Sequence, residues 1–139
     1  MNNYLGTLLS ILVMFLISSG FVQVHTVEQM KQELRELQAD AVKKVEAEGN
    51  LLPANTGPLL RTYLADEIAN KNFRLDINKM NITVSRTTGI SDDALTYNDE
   101  FLCTLTYEKP KLVAFFQNNK KFVFSIRGTM EPLPYDANP

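Results

Sequence analysis

Two hydrophobic rhythms divide this chain. Across residues 4–24 the side chains are apolar, hydroxyl-bearing or absent apart from Gln23, and no charged group occurs before Glu28. Such a run, roughly 20 residues long, suffices to cross a bilayer as a helix. Beyond it Val27, Met30, Leu34, Leu37, Ala41 and Val45 recur at spacings of three and four, which puts one apolar stripe on a helix. Gly49, Asn50 and Pro53 then supply stop signals. An unbroken helix over residues 4–47 would be roughly 65 Å long. Gly20, beside Ser18 and Ser19, is the expected place for any bend or local melting.

A second helix is predicted over residues 56–72. Thr56-Gly57-Pro58 reads as its start, with Pro58 at the first helical position, and Leu60, Leu64 and Ile68 make its apolar face. The period then changes to two. Ile82 and Val84 alternate with polar neighbours; Phe101, Cys103, Leu105 and Tyr107 form a second inward set, and Phe122, Phe124 and Ile126 a third. Turn-forming residues from Thr88-Gly89 to Asp92-Asp93 favour an antiparallel pairing of the first two strands. Residues 112–116, Leu-Val-Ala-Phe-Phe, read either as a core-completing strand or helical turn, or as a loop presented to a neighbouring subunit or a membrane surface. The proline-rich residues 131–139 are expected to be extended or loose. The resulting picture is a two-layer α+β chain: a long N-terminal hydrophobic-then-amphipathic helix, a short second helix and a three-stranded antiparallel sheet. Residues 1–26 form the hydrophobic helix. Residues 27–139 form a small α+β domain, with its amphipathic helix at 27–48, sheet at 80–127 and tail from 131 onward. Met30, Leu34, Leu37 and Val45 are expected to dock the long helix on the sheet.

The 139 residues carry a formal net charge of −2 with both signs mixed, and no basic tract suggests a nucleic-acid partner. A single cysteine, Cys103, forbids an intramolecular disulfide and a Cys-based zinc site. The one histidine, His25, stands where the apolar run meets water and reads as an interfacial polar residue. Asp92, Asp93, Asp99 and Glu100 flank the second strand without the spacing of a calcium loop. No nucleophile elbow or phosphate-cradling glycine loop is present, so no enzyme activity, cofactor, metal or small-molecule substrate is expected. The small residues at 18–20 would suit a signal-peptidase site, but residues 1–6 carry no Lys or Arg to make a positive n-region. An expected explanation is a basic leader removed ahead of Met1.

The order of parts resembles the type IV pilin-like architecture, and within it TadE-like pseudopilins and small pilin-like subunits of Gram-positive bacteria. The cues are Ala47-Glu48-Gly49 closing the long helix, Tyr63-Leu64 in the second, and Ile82-Thr83-Val84 in the sheet. The strand from Phe101 to Tyr107 and the last strand leading into Gly128-Thr129-Met130-Glu131 complete them. The resemblance implies a helix that waits in the inner (cytoplasmic) membrane and then stacks with identical copies into an extracellular filament at the cell surface. Tyr4, Leu5, Leu8, Leu9, Leu12, Phe15, Leu16 and Phe21 would pack that filament's interior. Pilins usually carry a glutamate at the fifth position; here that position is Leu5, leaving Asn2, Asn3, Thr7 and Ser10 as the polar groups near the start. The alternative expectation is a monomeric membrane-anchored accessory protein of a secretion or conjugation apparatus.

Overall fold

The computed structural model describes residues 2–48, 52–87, 94–110 and 121–131. The element order is α1 (Asn2–Glu48), α2 (Pro53–Asn70), a 3-10 turn (Ile77–Lys79), then β1 (Met80–Arg86), β2 (Glu100–Glu108) and β3 (Lys121–Thr129). The α+β layout read from the sequence is the one observed. By packing, the chain divides into two units, Met1–Gln32 and Glu33–Pro139. Helical structure runs through Ser18, Ser19 and Gly20 without melting. The stop signals at Gly49 and Asn50, the turn at residues 88–93, the apolar run at 112–116 and residues 132–139 of the tail lie outside the described residues.

The second unit is built on a sheet of order β1-β2-β3, antiparallel throughout. Ile82 stands opposite Leu105 and Val84 opposite Cys103. On the other side of β2, Tyr107 stands opposite Phe122 and Phe101 opposite Gly128. These residues share one face, which is the buried one: Phe101, Cys103 and Leu105 are fully enclosed, and Ile82 and Val84 nearly so. The opposite face carries Thr83, Thr104 and Ser125 in one row, with the Thr104 and Ser125 hydroxyls 3.1 Å apart. Alternation of period two therefore separates core from solvent across all three strands. The inward set of β3 is the exception. Phe122 is buried, but Phe124 is half-buried and Ile126 is 37% exposed, because β3 is the outer strand farthest from α2.

Two helical segments cover the buried face. In α1, Leu34, Leu37, Ala41 and Val45 are fully buried, while Met30 is half-buried and belongs to the first unit. α2 lies against β1 and buries Leu60 and Leu64, with Ile68 half-buried. It begins at Pro53, not at Pro58 as the sequence suggested; Pro58 lies inside the helix. Both prolines have the fixed φ that suits a helix start, and local preference does not choose between them.

A polar residue sits in the middle of this apolar layer. Gln38 is 1% exposed, and its Nε2 donates to the backbone oxygens of Cys103 (3.0 Å) and Phe124 (2.8 Å). One amide thus ties α1 to β2 and β3 at a single register. At the far end of the helix, Glu46 accepts a bond from the Thr129 N–H, and its backbone oxygen accepts one from Glu131. Between these ties the Phe101 ring lies over Gly128. A Cβ at Gly128 would stand 2.4 Å from Phe101 Cζ, so only glycine admits the ring.

Two stability outcomes follow, each measurable by urea denaturation in detergent. Gln38→Leu strips two buried carbonyls of a donor and should cost about 1–3 kcal/mol. Gln38→Glu should cost more, since a carboxylate offers those carbonyls no donor. Unchanged stability in both would show that the amide does not fasten the helix. Gly128→Ala should cost roughly 1–3 kcal/mol by displacing the Phe101 ring, and a neutral effect would contradict the close approach.

Candidate functional site

The largest unexplained surface belongs to the first unit. Fourteen large apolar side chains between Tyr4 and Val24 are exposed, among them Leu5 (74%) and Phe15 (75%). The residues expected to pack a filament interior, namely Tyr4, Leu5, Leu8, Leu9, Leu12, Phe15, Leu16 and Phe21, are all in this set. Leu5, Leu8, Leu9, Leu12 and Leu16 share one side of the helix by their spacing of three and four. Tyr4, Ile11, Phe15 and Val22 share another. A helix apolar all round has no face suited to water. α1 is long and apolar enough to cross a membrane, and its most hydrophobic window has none of its residues buried in the chain.

Three hydroxyls along this helix are handled locally. The Thr7 hydroxyl donates to the Asn3 backbone oxygen (2.8 Å), Ser18 to Met14 (2.9 Å) and Thr26 to Val22 (2.8 Å). Each hydroxyl therefore satisfies its donor one turn back and needs no water. Thr7, one of the polar groups near the start, thus gives its proton to its own helix. A glycine inside a helix costs about 1 kcal/mol relative to alanine. Yet a Cβ at Gly6 or Gly20 would meet nothing within 4 Å, so the chain's own packing requires neither glycine.

Charge begins after this segment. Lys31 pairs with Glu28 (2.6 Å) and Lys44 with Glu48 (2.8 Å). Lys71, just beyond α2, reaches Asp40 (2.6 Å) and Glu36 (2.8 Å) on α1 and joins the two helices by charge. Hydrogen bonds donated to Asp40 first and Glu36 second hold the Lys71 ammonium well above the ordinary lysine range. Near the start of β2, Asp99 accepts from the Thr96 N–H and hydroxyl (2.8 Å each) and pairs with Arg86 (2.7 Å). The Thr96 donors, followed by Arg86, hold its carboxyl below the usual carboxylate value. The candidate cation site therefore has Asp99 already engaged, Glu100 exposed on β2, and Asp92 and Asp93 outside the described residues. Among the described residues no group of three or more His, Cys, Asp or Glu side chains is placed to hold a metal ion. His25 lies exposed on α1.

Gln38 is the residue that sequence reasoning missed. Its signal was present in the spacing, since positions 34, 38, 41 and 45 advance by four, three and four and place the amide within the apolar stripe. The Phe101–Gly128 contact had no comparable signal, because it depends on which strands pair and in what register. Compared with known proteins, the chain matches no family model, no curated protein and no solved structure.

Cys103 is fully buried on β2, and burial pushes its thiol up to about 11. Since the thiolate is the reactive form, a disulfide reagent at mildly alkaline pH should leave the folded protein unlabelled and label it rapidly in denaturant. Prompt labelling of the folded protein would contradict the burial.

Proposed function

We propose that this chain is a structural subunit of an extracellular, pilin-like filament, held in the cytoplasmic membrane by α1 before assembly and joined to identical copies through residues 4–24 afterwards. The observation that carries this reading is the fourteen exposed apolar side chains on one helix. Fully burying each contributes about 1.5–3 kcal/mol, so the group amounts to on the order of 20 kcal/mol or more. That exceeds the whole folding stability of a typical domain. A surface of this size must be covered by lipid or by protein.

Two further features support coverage by protein. Gly6 and Gly20 leave open space where another helix can approach closely, and nothing in the chain itself uses that space. The second unit supplies a self-contained α+β body, of the kind that would form a fibre's outside. The order of elements, from apolar helix to amphipathic helix to meander, is the same order on which the pilin resemblance rests.

One observation favours a second reading, a monomeric membrane-anchored accessory protein of a secretion or conjugation apparatus. The hydroxyls of Thr7, Ser18 and Thr26 are satisfied within their own helix, and Leu5 replaces the acidic residue by which pilins usually pair subunits. Such a helix is comfortable alone in lipid.

Electron microscopy of material sheared from cells that produce the protein separates the two, because only a filament subunit gives regular fibres. Leu12→Asp or Phe15→Asp should abolish those fibres while the second unit keeps its sheet, as read from its amide spectrum. Normal fibres from either variant would refute assembly through this helix.

A further inference from the structure

The two outer strands of the sheet are not equivalent. β1 has α2 against it, whereas β3 has β2 on one side and, among the described residues, no strand on the other. The Met130 N–H bonds the Asp99 oxygen one step beyond the pair of Glu100 with Thr129, which fixes the alternation along β3. Phe122, Phe124, Ile126 and Gly128 therefore turn their N–H and C=O groups to β2, while Val123, Ser125, Arg127 and Thr129 turn theirs outward. Two side-chain contacts agree with this. Gln38 reaches the Cys103 and Phe124 oxygens together because both lie between β2 and β3, and the outward Thr129 N–H goes to Glu46. The N–H groups of Val123, Ser125 and Arg127 find no acceptor among the described residues. Val123 is 61% exposed, and Ser125 and Arg127 are exposed beside it. Such an edge is a ready template for a further strand.

Charge and chain chemistry select the strand that fits. β3 carries Lys121 and Arg127 and no carboxylate, so two β3 edges laid together would oppose like charge only. Residues 132–139, which lie outside the described residues, carry Asp136 and no cation. In extended form Leu133, Tyr135 and Ala137 would turn their N–H groups to one edge, while Pro132 and Pro134, which have none, would occupy the other. Such a segment can pair along one edge and is blunted on the other, as an outermost strand must be. At about 3.3 Å per residue it would reach roughly 26 Å, close to the roughly 30 Å of β3. Either direction of pairing brings Leu133 and Tyr135 beside an exposed apolar side chain of β3, Val123 if antiparallel and Ile126 if parallel. A hairpin back along the same strand is disfavoured, because Glu46 already holds the Thr129 N–H that its first rung would use, and the Glu131 N–H as well.

We propose that residues 132–139 of one copy of this chain add to the outer edge of β3 in the next copy as a fourth strand. The inference rests on the self-assembly in the reading above and adds to it a contact outside the apolar run. Val123, Ser125 and Arg127 supply the acceptor edge; Leu133, Tyr135 and Ala137 supply the donor edge. Since the donor and acceptor surfaces differ, the contact is head-to-tail, the type from which open filaments are built.

The test mixes two forms of the chain in detergent micelles. Isotope-labelled copies ending at Glu131 serve as acceptors, and unlabelled copies that keep residues 132–139 carry a nitroxide on Asn138→Cys. Amides of Val123, Ser125 and Arg127 in the acceptors should broaden several-fold and exchange with deuterium several-fold more slowly. Leu133→Pro with Tyr135→Pro, which strips the donor edge, should abolish both effects. On the acceptor, Ser125→Pro removes an outward N–H without touching the ladder to β2. It should abolish the broadening at Val123 and Arg127, while unchanged Cys103 and Leu105 amides show that the sheet is intact. No broadening at millimolar donor, or broadening that survives the proline pair, would overturn the inference. So would slow exchange at the edge of acceptors alone, which would mean that two β3 edges pair with each other. Electron microscopy of sheared material separates this from the reading on which it rests. Normal fibres from chains ending at Glu131 would sink the strand addition alone; no fibres from the unaltered chain would sink the filament, and the micelle experiment would still decide the contact.

Discussion

The second unit depends on one layer contact, the apolar stripe of α1 laid across the inner face of the sheet. Leu34, Leu37, Ala41 and Val45 lose all their exposure there, and Phe101, Cys103 and Leu105 lose theirs in return. Three strands with one bare apolar face would not persist in water, and neither would an isolated amphipathic helix. Each element is stable because the other covers it. α2 extends the cover over β1, and Lys71 ties α2 back to α1 through Asp40 and Glu36.

Apolar burial is non-directional and does not by itself choose a position for a helix on a sheet. Three specific contacts make that choice here. Gln38 reaches two carbonyls on adjacent strands, the Phe101 ring fills the space left by Gly128, and Glu46 holds the end of β3 by side chain and backbone. A buried amide in an apolar layer is costly when misplaced, so it penalises every other register. The same contacts make α1 and β3 run parallel.

The first unit follows a different physical rule. None of the residues in its apolar window is buried in the chain, and the hydroxyls of Thr7, Ser18 and Thr26 bond back to their own helix. Water is a poor solvent for such a surface, whereas lipid and a bundle of like helices are both good ones. One chain thus joins a self-contained α+β body to a helix whose apolar side chains the chain leaves exposed.

The sequence by itself determined the elements and their faces. Period two marked Ile82, Val84, Phe101, Cys103, Leu105 and Tyr107 as inward, and the spacing of three and four marked Leu34, Leu37 and Val45, because side-chain direction is fixed by backbone geometry alone. The uncharged run of residues 4–24 was equally legible, since solvent preference is a property of composition. Tertiary structure decided what local signals leave degenerate. It selected Pro53 over Pro58 as the start of α2, left Ile126 of β3 exposed at the margin of the helical cover, and put Gly128 beneath Phe101. It also gave Gln38 its two carbonyls and Lys71 its carboxylates, across separations in sequence that no local pattern spans. Such pairings depend on which strands and helices meet, and that is settled only when the layers close.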